Sequence, residues 1–362
     1  MASSAGDARH SGALVAARSC LIAAVALTAC GGPGSGPVDD VSPSAETTAV
    51  LSASPRPSLE SSSPDAVGDD EAWIVYQWVA GSGDGIYLVR PDGTGRHQLV
   101  PEVDGSEIHP DWSPDGNRIA FVRQAPEGHT ELWVVDAGGT DAERFYSCEL
   151  PCNEIHSPDW STDGAYIYFS QNADVPPGEE IPRTFSIGRL ELATGEASVV
   201  LSRDDGMIVE QARVSPDGDT IAYMGGSEEV GGTAIFTVPV DGGPEAQLTE
   251  YEMFGAHPDW TPAGQIVFHS ENLLSPEQPG NLFVMDANGA NLEQLTQLSE
   301  NGQRAFQPRV APDGSGIVFI REESGGPSTR RIALLEAGAS EPVWLTPEPI
   351  AGTHAQLRPG GR

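Results

Sequence analysis

The feature that most constrains the fold is a unit of roughly fifty residues that recurs from residue 72 onward. Its clearest copy reads His109-Pro-Asp-Trp-Ser-Pro-Asp-Gly116, followed by the apolar run Arg118-Ile-Ala-Phe-Val-Arg123. Further copies of the first segment stand in the same register at residues 157–164, 211–218, 257–264 and 307–314. Such repetition is typical of proteins in which one supersecondary unit stacks against its neighbours.

Each unit carries signals for four short strands. Pro-Asp-Gly suits a tight turn, because proline presets φ and glycine takes the left-handed position. Runs such as Ile119-Ala-Phe-Val122 are apolar on both faces, which indicates a sheet that is covered on both sides. A second turn, Asp136-Ala-Gly-Gly139, leads into a short outer strand. Four strands per unit and two-sided burial at this period predict the blades of an all-β propeller.

The two ends of the repeat region complement each other. Residues 73–79 and 85–93 supply the second to fourth strands of a blade that lacks its first strand. The segment His354-Ala-Gln-Leu-Arg-Pro-Gly-Gly361 matches residues 257–264 position by position. We therefore expect the C-terminal segment to complete the N-terminal blade. This pairing would close a six-bladed propeller over residues 72–362 and remove exposed sheet edges.

The N-terminal segment differs in composition from the repeats. Residues 1–29 carry two arginines ahead of a short apolar stretch, residues 20–29, which has the size of a signal-peptide core. The sequence Leu27-Thr-Ala-Cys30 resembles the bacterial lipoprotein cleavage box, and this resemblance implies a lipid on Cys30. A chance alanine-rich segment is the alternative. Residues 30–71 are rich in Gly, Pro, Ser and Asp, which predicts a disordered tether.

The charge balance is strongly acidic. The chain has 53 Asp and Glu residues against 19 Lys and Arg, a net charge of −34. A surface this negative repels phosphate backbones, so nucleic acid is not an expected partner. Two explanations of the charge stay open: solubility alone, or attraction of cationic partners or divalent ions.

The Trp-Ser-Pro-Asp-Gly turn followed by Arg-Ile-Ala-Phe resembles the TolB-type propeller repeat. This repeat occurs in the periplasmic TolB protein and in the propellers of prolyl oligopeptidases. The resemblance covers residues 72–361 and implies a propeller fold. Because adaptors, lyases and peptidase gates all use the repeat, it does not imply one function. The sequence contains no Gly-x-Ser-x-Gly elbow, so peptidase activity is not expected.

One position of every unit is polar, three residues before the one that aligns with Trp112. The candidates for ligand or metal binding at this position are His109, Ser157 with His156 beside it, Gln211, His257, Gln307 and His354. We expect them where the innermost strand of each blade begins, at one mouth of the central channel. Neutral imidazoles there can hydrogen-bond a sugar or peptide, or bind a first-row metal. Oligogalacturonate lyases, which resemble this repeat, use a His/Gln metal site. The alternative is that these residues only solvate the loop into each inner strand.

Three smaller features have both structural and functional explanations. Cys148 and Cys152 predict a disulfide in an exported protein, with free thiols or metal ligation as alternatives. Residues 172–182 form either a binding loop or a plain surface excursion. The tryptophans of the repeat are expected in the packing between blades: Trp112, Trp160 and Trp260.

The sequence therefore predicts an exported scaffold that binds an envelope protein, peptide or glycan without catalysis. Lipid on Cys30 would anchor it to the outer face of a bacterial membrane. No cofactor is expected, apart from a divalent metal at the His/Gln positions. The alternative function is that of a metal-dependent polysaccharide lyase or hydrolase that uses those positions.

Overall fold

Six four-stranded antiparallel sheets follow one another along the chain in the computed structural model. The structure describes residues 71–78, 85–100, 105–125, 128–149, 152–173, 184–227, 229–270, 280–298, 302–324, 326–346 and 352–360. All of them belong to one compact unit within Ser61–Arg362. The signal segment, Cys30 and all of the tether except residue 71 lie outside the described residues, as does most of the 172–182 insertion.

The sheets are the blades of a propeller, numbered here in chain order. Blade 1 contains β1 (Ile74–Trp78), β2 (Gly85–Val89) and β3 (His97–Gln98). Blade 2 contains β4 (Ser106–Trp112), β5 (Arg118–Gln124), β6 (Thr130–Asp136) and β7 (Glu143–Ser147). Blade 3 contains β8 (Cys152–Trp160), β9 (Tyr166–Ala173), β10 (Thr184–Glu191) and β11 (Ala197–Arg203).

The second half repeats the same plan. Blade 4 contains β12 (Ile208–Val214), β13 (Thr220–Ser227), β14 (Gly232–Pro239) and β15 (Ala246–Gln247). Blade 5 contains β16 (Gly255–Trp260), β17 (Gln265–Ser270), β18 (Asn281–Asp286) and β19 (Glu293–Gln294). Blade 6 contains β20 (Arg304–Val310), β21 (Gly316–Glu322), β22 (Arg331–Glu336) and β23 (Val343–Trp344), and the last strand is β24 (Gly352–Leu357). In the described part of the chain, short 3₁₀ helices occupy Tyr251–Met253 and Pro327–Thr329.

The C-terminal strand completes the first blade. The strand order of that sheet is β24-β1-β2-β3, so β24 takes the innermost place that β4 holds in blade 2. The antiparallel pairing joins Ile74 to Leu357 and Trp78 to Gly352. The six-bladed all-β fold and the closure by the two ends of the repeat region are therefore confirmed.

The hydrophobic core lies between consecutive sheets, not inside one central mass. Ile119, Ala120, Phe121 and Val122 of β5 are all fully buried, because blades 1 and 3 cover opposite faces of blade 2. Six apolar clusters fill the six interfaces, including one between blade 6 and blade 1. Each blade is thus stabilised by two neighbours, which is the energetic reason for the ring to close.

The tryptophans and the cysteines contribute to these interfaces as predicted. Trp112, Trp160 and Trp260 are at most 7% exposed and belong to inter-blade clusters. Cys148 and Cys152 form a disulfide with a Cα–Cα distance of 5.2 Å, buried between blades 2 and 3. Among the described residues, none of the helical segments has the length and apolar character needed to cross a bilayer.

Candidate functional site

The six candidate positions share an unusual backbone conformation. All six residues at the predicted position adopt a positive φ between 49° and 60°: His109, Ser157, Gln211, His257, Gln307 and His354. A positive φ is uncommon for residues other than glycine and costs on the order of 1 kcal/mol. Its occurrence at the same place in all six blades identifies it as a built-in feature of the repeat.

A β-bulge in each innermost strand explains this conformation. In blade 2 the pairing of β4 with β5 jumps from Ile108–Val122 to Asp111–Ala120, so that two residues face one across the bulge. The residue after the candidate position is proline in four blades and alanine in two. Proline fits here because the bulge removes the ladder hydrogen bond that its missing N–H would have donated.

The six candidate residues lie at a different place in their strands than the sequence predicted. His109 is the fourth residue of β4, and the other five residues likewise lie inside their innermost strands, not where those strands begin. The expectation failed because motif spacing gives the distance to the turn after the strand but not the length of strand before the bulge.

Three of the six bulge side chains, those of His109, Gln211 and Gln307, accept a backbone N–H of the next blade. The N–H of Ser157 donates to Nδ1 of His109 at 3.2 Å. In the same way the His257 N–H donates to Gln211 Oε1 at 2.6 Å and the His354 N–H to Gln307 Oε1 at 3.0 Å. Glutamine and histidine are therefore equivalent at this position, because both offer an acceptor at the right reach.

Three imidazole rings meet across the propeller axis. The ring centroids of His109 and His354 are 4.4 Å apart, and those of His257 and His354 are 5.7 Å apart although blades 5 and 1 are not neighbours. The Gln307 amide nitrogen lies 3.4 Å from Nε2 of His257 and 3.3 Å from Nε2 of His354. Since the Gln307 oxygen accepts a backbone N–H, its amide nitrogen is the atom that donates to the imidazoles.

These histidines are uncharged at neutral pH. Burial, with the neighbouring charges of His156 and Arg213, lowers the pKa of His109 to about 3. Burial likewise holds the pKa values of His257 and His354 well below the ordinary range. The axial cluster therefore offers hydrogen bonds but no positive charge to a ligand.

His156 does not belong to this cluster in the same way. Ser157 occupies the bulge of blade 3, and the His156 ring lies 5.8 Å from that of His109. Burial lowers the pKa of His156, but the hydrogen bond to Glu154 and the charge of Glu210 outweigh burial, so the net pKa is raised. Among the candidate histidines, His156 is thus the one whose pKa is raised and whose surroundings favour the protonated form.

A second layer of polar residues lies two positions further along each innermost strand, and sequence reasoning missed it. Its members are Asp111, Asp159, Arg213, Asp259, Arg309 and Gln356. The side chains of Gln356, Asp111, Asp159 and Asp259 each accept the N–H of the following blade, at 2.8, 3.3, 2.7 and 2.6 Å. The available signal was the aspartate of the Pro-Asp-Trp motif, which the repeat carries in three blades.

Two arginines offset the buried carboxylates of this layer. Arg213 pairs with Asp159 at 3.3 Å, and Arg309 approaches Asp111 at 3.7 Å across the axis. Burial raises the pKa of Asp259 to about 7, and it also raises the pKa values of Asp111 and Asp159. Each residue of this layer forms a hydrogen bond or an ion pair with a neighbouring blade or with another residue of the layer. The layer therefore connects the innermost strands of the blades to one another.

Four of the six ring nitrogens of the three axial histidines face a hydrogen-bond partner, whereas the buried Nδ1 of His257 has none among the described residues. Nδ1 of His109 is occupied by a backbone N–H, and Nε2 of both His257 and His354 faces the Gln307 amide. Within the described parts of the chain, no group of three His, Cys, Asp or Glu side chains is arranged to hold a metal ion. Ligation of a metal through His109 Nδ1 or through Nε2 of His257 or His354 would require these hydrogen bonds to break.

The propeller repeat of this chain matches a known protein family. The family described as TolB beta propeller domain matches residues 49–272. The chain belongs to this TolB β-propeller family. The Tol-Pal system protein TolB of Francisella tularensis is 28% identical over 172 residues, which cover 48% of this chain and 36% of that protein. The chain thus matches just over a third of the length of its curated TolB relatives.

Solved structures support the TolB-type fold. TolB from Acinetobacter baumannii superposes with a TM-score of 0.62 and 19% identity, covering 80% of this chain and 67% of that one. Oligogalacturonate lyase from Vibrio parahaemolyticus superposes with a TM-score of 0.52 and 14% identity, covering 75% and 74%. At these identities the likeness concerns the fold alone, and it extends to a TolB and to a lyase.

Proposed function

We propose that this TolB-type propeller binds a protein of the bacterial envelope and does not catalyse a reaction. The observation that carries the proposal is the use of the axial side chains. The side chains of His109, Gln211 and Gln307, which an enzyme could use for chemistry, are here hydrogen-bonded to the backbone of the next blade. A site in which these side chains already hold backbone partners supports a rigid scaffold better than a catalytic centre.

The location in the envelope rests on the N-terminal segment and on the relatives. Residues 1–29 would direct export, Cys30 would carry the lipid, and residues 30–71 would hold the propeller (72–362) away from the membrane. The matched relative in Francisella tularensis is named as a protein of the Tol-Pal system. A net charge of −34 favours partners with a basic surface over nucleic acid or other anions.

The lipid anchor is tested by metabolic labelling. Cells that express the full chain are grown with radiolabelled palmitate, beside cells that express C30S. We expect label in the wild-type protein and none in the variant, with the mature N-terminus at residue 30 by mass spectrometry. An unlabelled wild-type chain would remove the anchor from the proposal without affecting the propeller.

Binding is tested in the native envelope. The tagged chain is cross-linked in living cells and purified, and a fusion of residues 1–71 to an unrelated folded domain serves as the control. We expect an envelope protein to be enriched by the propeller and not by the control. Equal recovery from both would contradict a scaffold function.

The metal-dependent lyase is the competing function, and the same preparation tests it. Elemental analysis of the purified chain and an assay for unsaturated products from polygalacturonate are compared with the triple variant H109Q/H257Q/H354Q. We expect no stoichiometric metal and no turnover. One metal per chain, lost in the triple variant together with turnover, would replace the scaffold by an enzyme.

A further inference from the structure

The outer strands of blade 2 hold a buried carboxylate among arginines and a tryptophan. Arg123 of β5 stands directly opposite Glu131 of β6. The Glu131 side chain, 6% exposed, accepts the indole N–H of Trp133 at 2.9 Å and pairs with Arg144 of β7 at 2.7 Å. The guanidinium carbon of Arg123 lies 5.2 Å from the centroid of the Trp133 ring. This group of side chains is therefore electrically balanced around one carboxylate.

Blade 6 has an arginine at the position of that carboxylate. The strand registers give the correspondence, with the blade 2 residue first: Arg123 with Arg321, Glu131 with Arg331, Trp133 with Ala333, and Arg144 with Trp344. Two arginines and a tryptophan are thus present in both blades, although the tryptophan stands in a different strand. The carboxylate at their centre is present in blade 2 and absent from the same position of blade 6.

The two arginines of blade 6 lie against the same indole ring. Arg321 of β21 stands directly opposite Arg331 of β22, so the two side chains project from the same face of the sheet. Their guanidinium carbons lie 4.4 and 4.9 Å from the centroid of the Trp344 ring. Like charges directly opposite each other destabilise a strand pair. An anion between the two guanidinium groups would remove this repulsion.

Both arginines have unused hydrogen-bond donors. The Nε atoms of Arg321 and Arg331 are buried and have no hydrogen-bond partner among the described residues. Arg321 donates through a terminal nitrogen to the side-chain oxygen of Gln303. For Arg331, the cation–π contact with Trp344 is the interaction that the described part of the chain provides. The pair therefore retains donors that a ligand could use.

Nearby carboxylates affect Arg321 without contacting it. Burial lowers the pKa of Arg321, and the charge of Arg331 lowers it further, although the charges of Glu323 and Glu341 act in the opposite direction. Over the described residues, neither of these glutamates forms an ion pair with Arg321 or Arg331. The counter-charge that Glu131 provides by direct contact in blade 2 is therefore not provided in blade 6.

The pair is accessible, and its surroundings favour a ligand with a single negative charge. Both arginines are half-buried, and Arg321 lines a groove of about 700 Å³ between blades 5 and 6. Glu293, Glu336 and Glu341 line the same groove. In a chain with a net charge of −34, these glutamates would repel a phosphate dianion more strongly than one carboxylate.

We propose that Arg321 and Arg331 bind the carboxylate of a ligand, in the part of blade 6 that corresponds to the position of Glu131 in blade 2. The carboxylate would accept hydrogen bonds from both guanidinium groups beside Trp344. It belongs either to an aspartate or glutamate side chain of a partner protein or to a small organic acid. The inference goes beyond the proposed scaffold function and does not depend on it.

Nuclear magnetic resonance of the full-length protein, labelled with ¹⁵N-arginine, tests this site. Because the Nε atoms of Arg321 and Arg331 are buried, their hydrogens should exchange slowly enough with water to be observed. The signals are assigned from their loss in R321Q and R331Q. We expect both signals to shift on addition of the blocked tripeptide Gly-Glu-Gly or of propionate, and not on addition of blocked Gly-Gln-Gly. A larger shift with the tripeptide assigns the carboxylate to a protein, and a larger shift with propionate assigns it to a small acid.

Two variants and one matched control connect binding to the arginine pair. R331Q should bind the carboxylate about tenfold more weakly, because it removes a charged donor. R331E should show no binding and a higher melting temperature, because it restores the opposite charges that face each other in blade 2. R118Q removes an arginine that also contacts a tryptophan, Trp160 at 4.8 Å, and should leave binding unchanged.

Three results would overturn the proposal. They are equal shifts with the glutamate and glutamine peptides, shifts with inorganic phosphate but with neither carboxylate, and binding to R331Q that equals binding to the wild type. R331Q preserves a polar side chain of similar length, so it decides the question even if R331E does not fold. None of these results affects the cross-linking experiment in cells, so the scaffold function is tested separately.

Discussion

At the scale of single residues, the axial positions require a side chain that is long enough to reach the next blade and that carries a hydrogen-bond acceptor. His109, Gln211 and Gln307 all accept the backbone N–H of the following blade although they differ in shape and chemistry. The bulge brings each side chain to the axis at the expense of a positive φ. The hydrogen bonds and the packing of the rings offset that local strain.

We predict that H109Q makes the protein less sensitive to acid. The folded pKa of His109 is about 3, because burial and nearby cations disfavour its protonation, whereas an unfolded histidine titrates near 6.5. Below pH 6.5 the unfolded chain therefore binds a proton that the folded chain refuses, and stability is lost as the pH falls toward 3. Between pH 7.5 and 5.0 the wild type should lose about 2 kcal/mol relative to H109Q.

Denaturant unfolding at the two pH values measures this difference. Glutamine preserves the acceptor for the Ser157 N–H, as it does at two other blades, so H109Q should fold normally at pH 7.5. An identical pH dependence in both proteins would mean that His109 is solvated and titrates normally.

The sequence predicted the candidate site only in part. Alignment of the repeats identified His109, His257 and His354 and predicted that they meet at the axis. It did not predict the bulge conformation or the bonds to the next blade, because these depend on contacts between blades and not on one unit. Asp111 and Arg309 were missed since nothing in a single strand shows that they approach each other across the axis.

At the scale of elements, the aspartates of the second layer join the innermost strands. Asp259 of β16 accepts the Val310 N–H of β20 at 2.6 Å. We predict that D259A costs about 1–3 kcal/mol, because it leaves a backbone donor without a partner. D259N should cost less, since the amide oxygen can accept the same bond.

The pH dependence of D259N provides a second check. Burial raises the folded pKa of Asp259 to about 7, above the unfolded value near 3.8. The stability that a protonated Asp259 contributes to the folded protein is fully present below pH 3.8 and is lost as the pH rises through 7. Chemical denaturation should therefore show that the free energy of unfolding of D259N increases relative to that of the wild type between pH 5 and 8. A difference that stays constant over this range would contradict a raised pKa at Asp259.

Two turn glycines allow the cost of a steric contact to be measured separately from the cost of backbone strain. Gly139 and Gly338 have almost the same φ, 77° and 78°, but a Cβ on Gly139 would meet the Leu99 oxygen whereas Gly338 has open space. Both alanine variants should carry about 1 kcal/mol of left-handed strain. G139A should lose a further 1–3 kcal/mol from the forced contact.

Thermal unfolding of the two glycine variants measures the difference directly. Equal losses would show that the blade 2 turn can move away from blade 1 without cost. The turns themselves were predictable from their glycines, but the different surroundings of Gly139 and Gly338 were not, because they depend on contacts with the neighbouring blade.

At the scale of the whole molecule, stability depends on closing the ring. Blade 6 packs on blade 1 through a cluster that includes Ala355, and β24 supplies the innermost strand of blade 1. The repeat alignment predicted this closure, because residues 354–361 match an inner-strand segment. The pairing of Ile74 with Leu357 confirms it.

We predict that deletion of residues 350–362 lowers the melting temperature by several degrees or more. The deletion removes β24, exposes the edge of β1 and opens the interface with blade 2. Differential scanning calorimetry measures the loss, and deletion of residues 361–362 alone is the control. A synthetic peptide of residues 350–362 should restore part of the stability; an unchanged transition in the long deletion would refute closure by this strand.

The late arrival of β24 has a consequence for biogenesis. The ribosome makes Leu357, the partner of Ile74, only after all the strands from β1 to β23 have been synthesised. Until then the inner edge of β1 has no neighbour in its sheet, and the first blade to be made is the last to be completed. A polypeptide that stops before β24 therefore keeps an unpaired strand edge that the full-length protein buries.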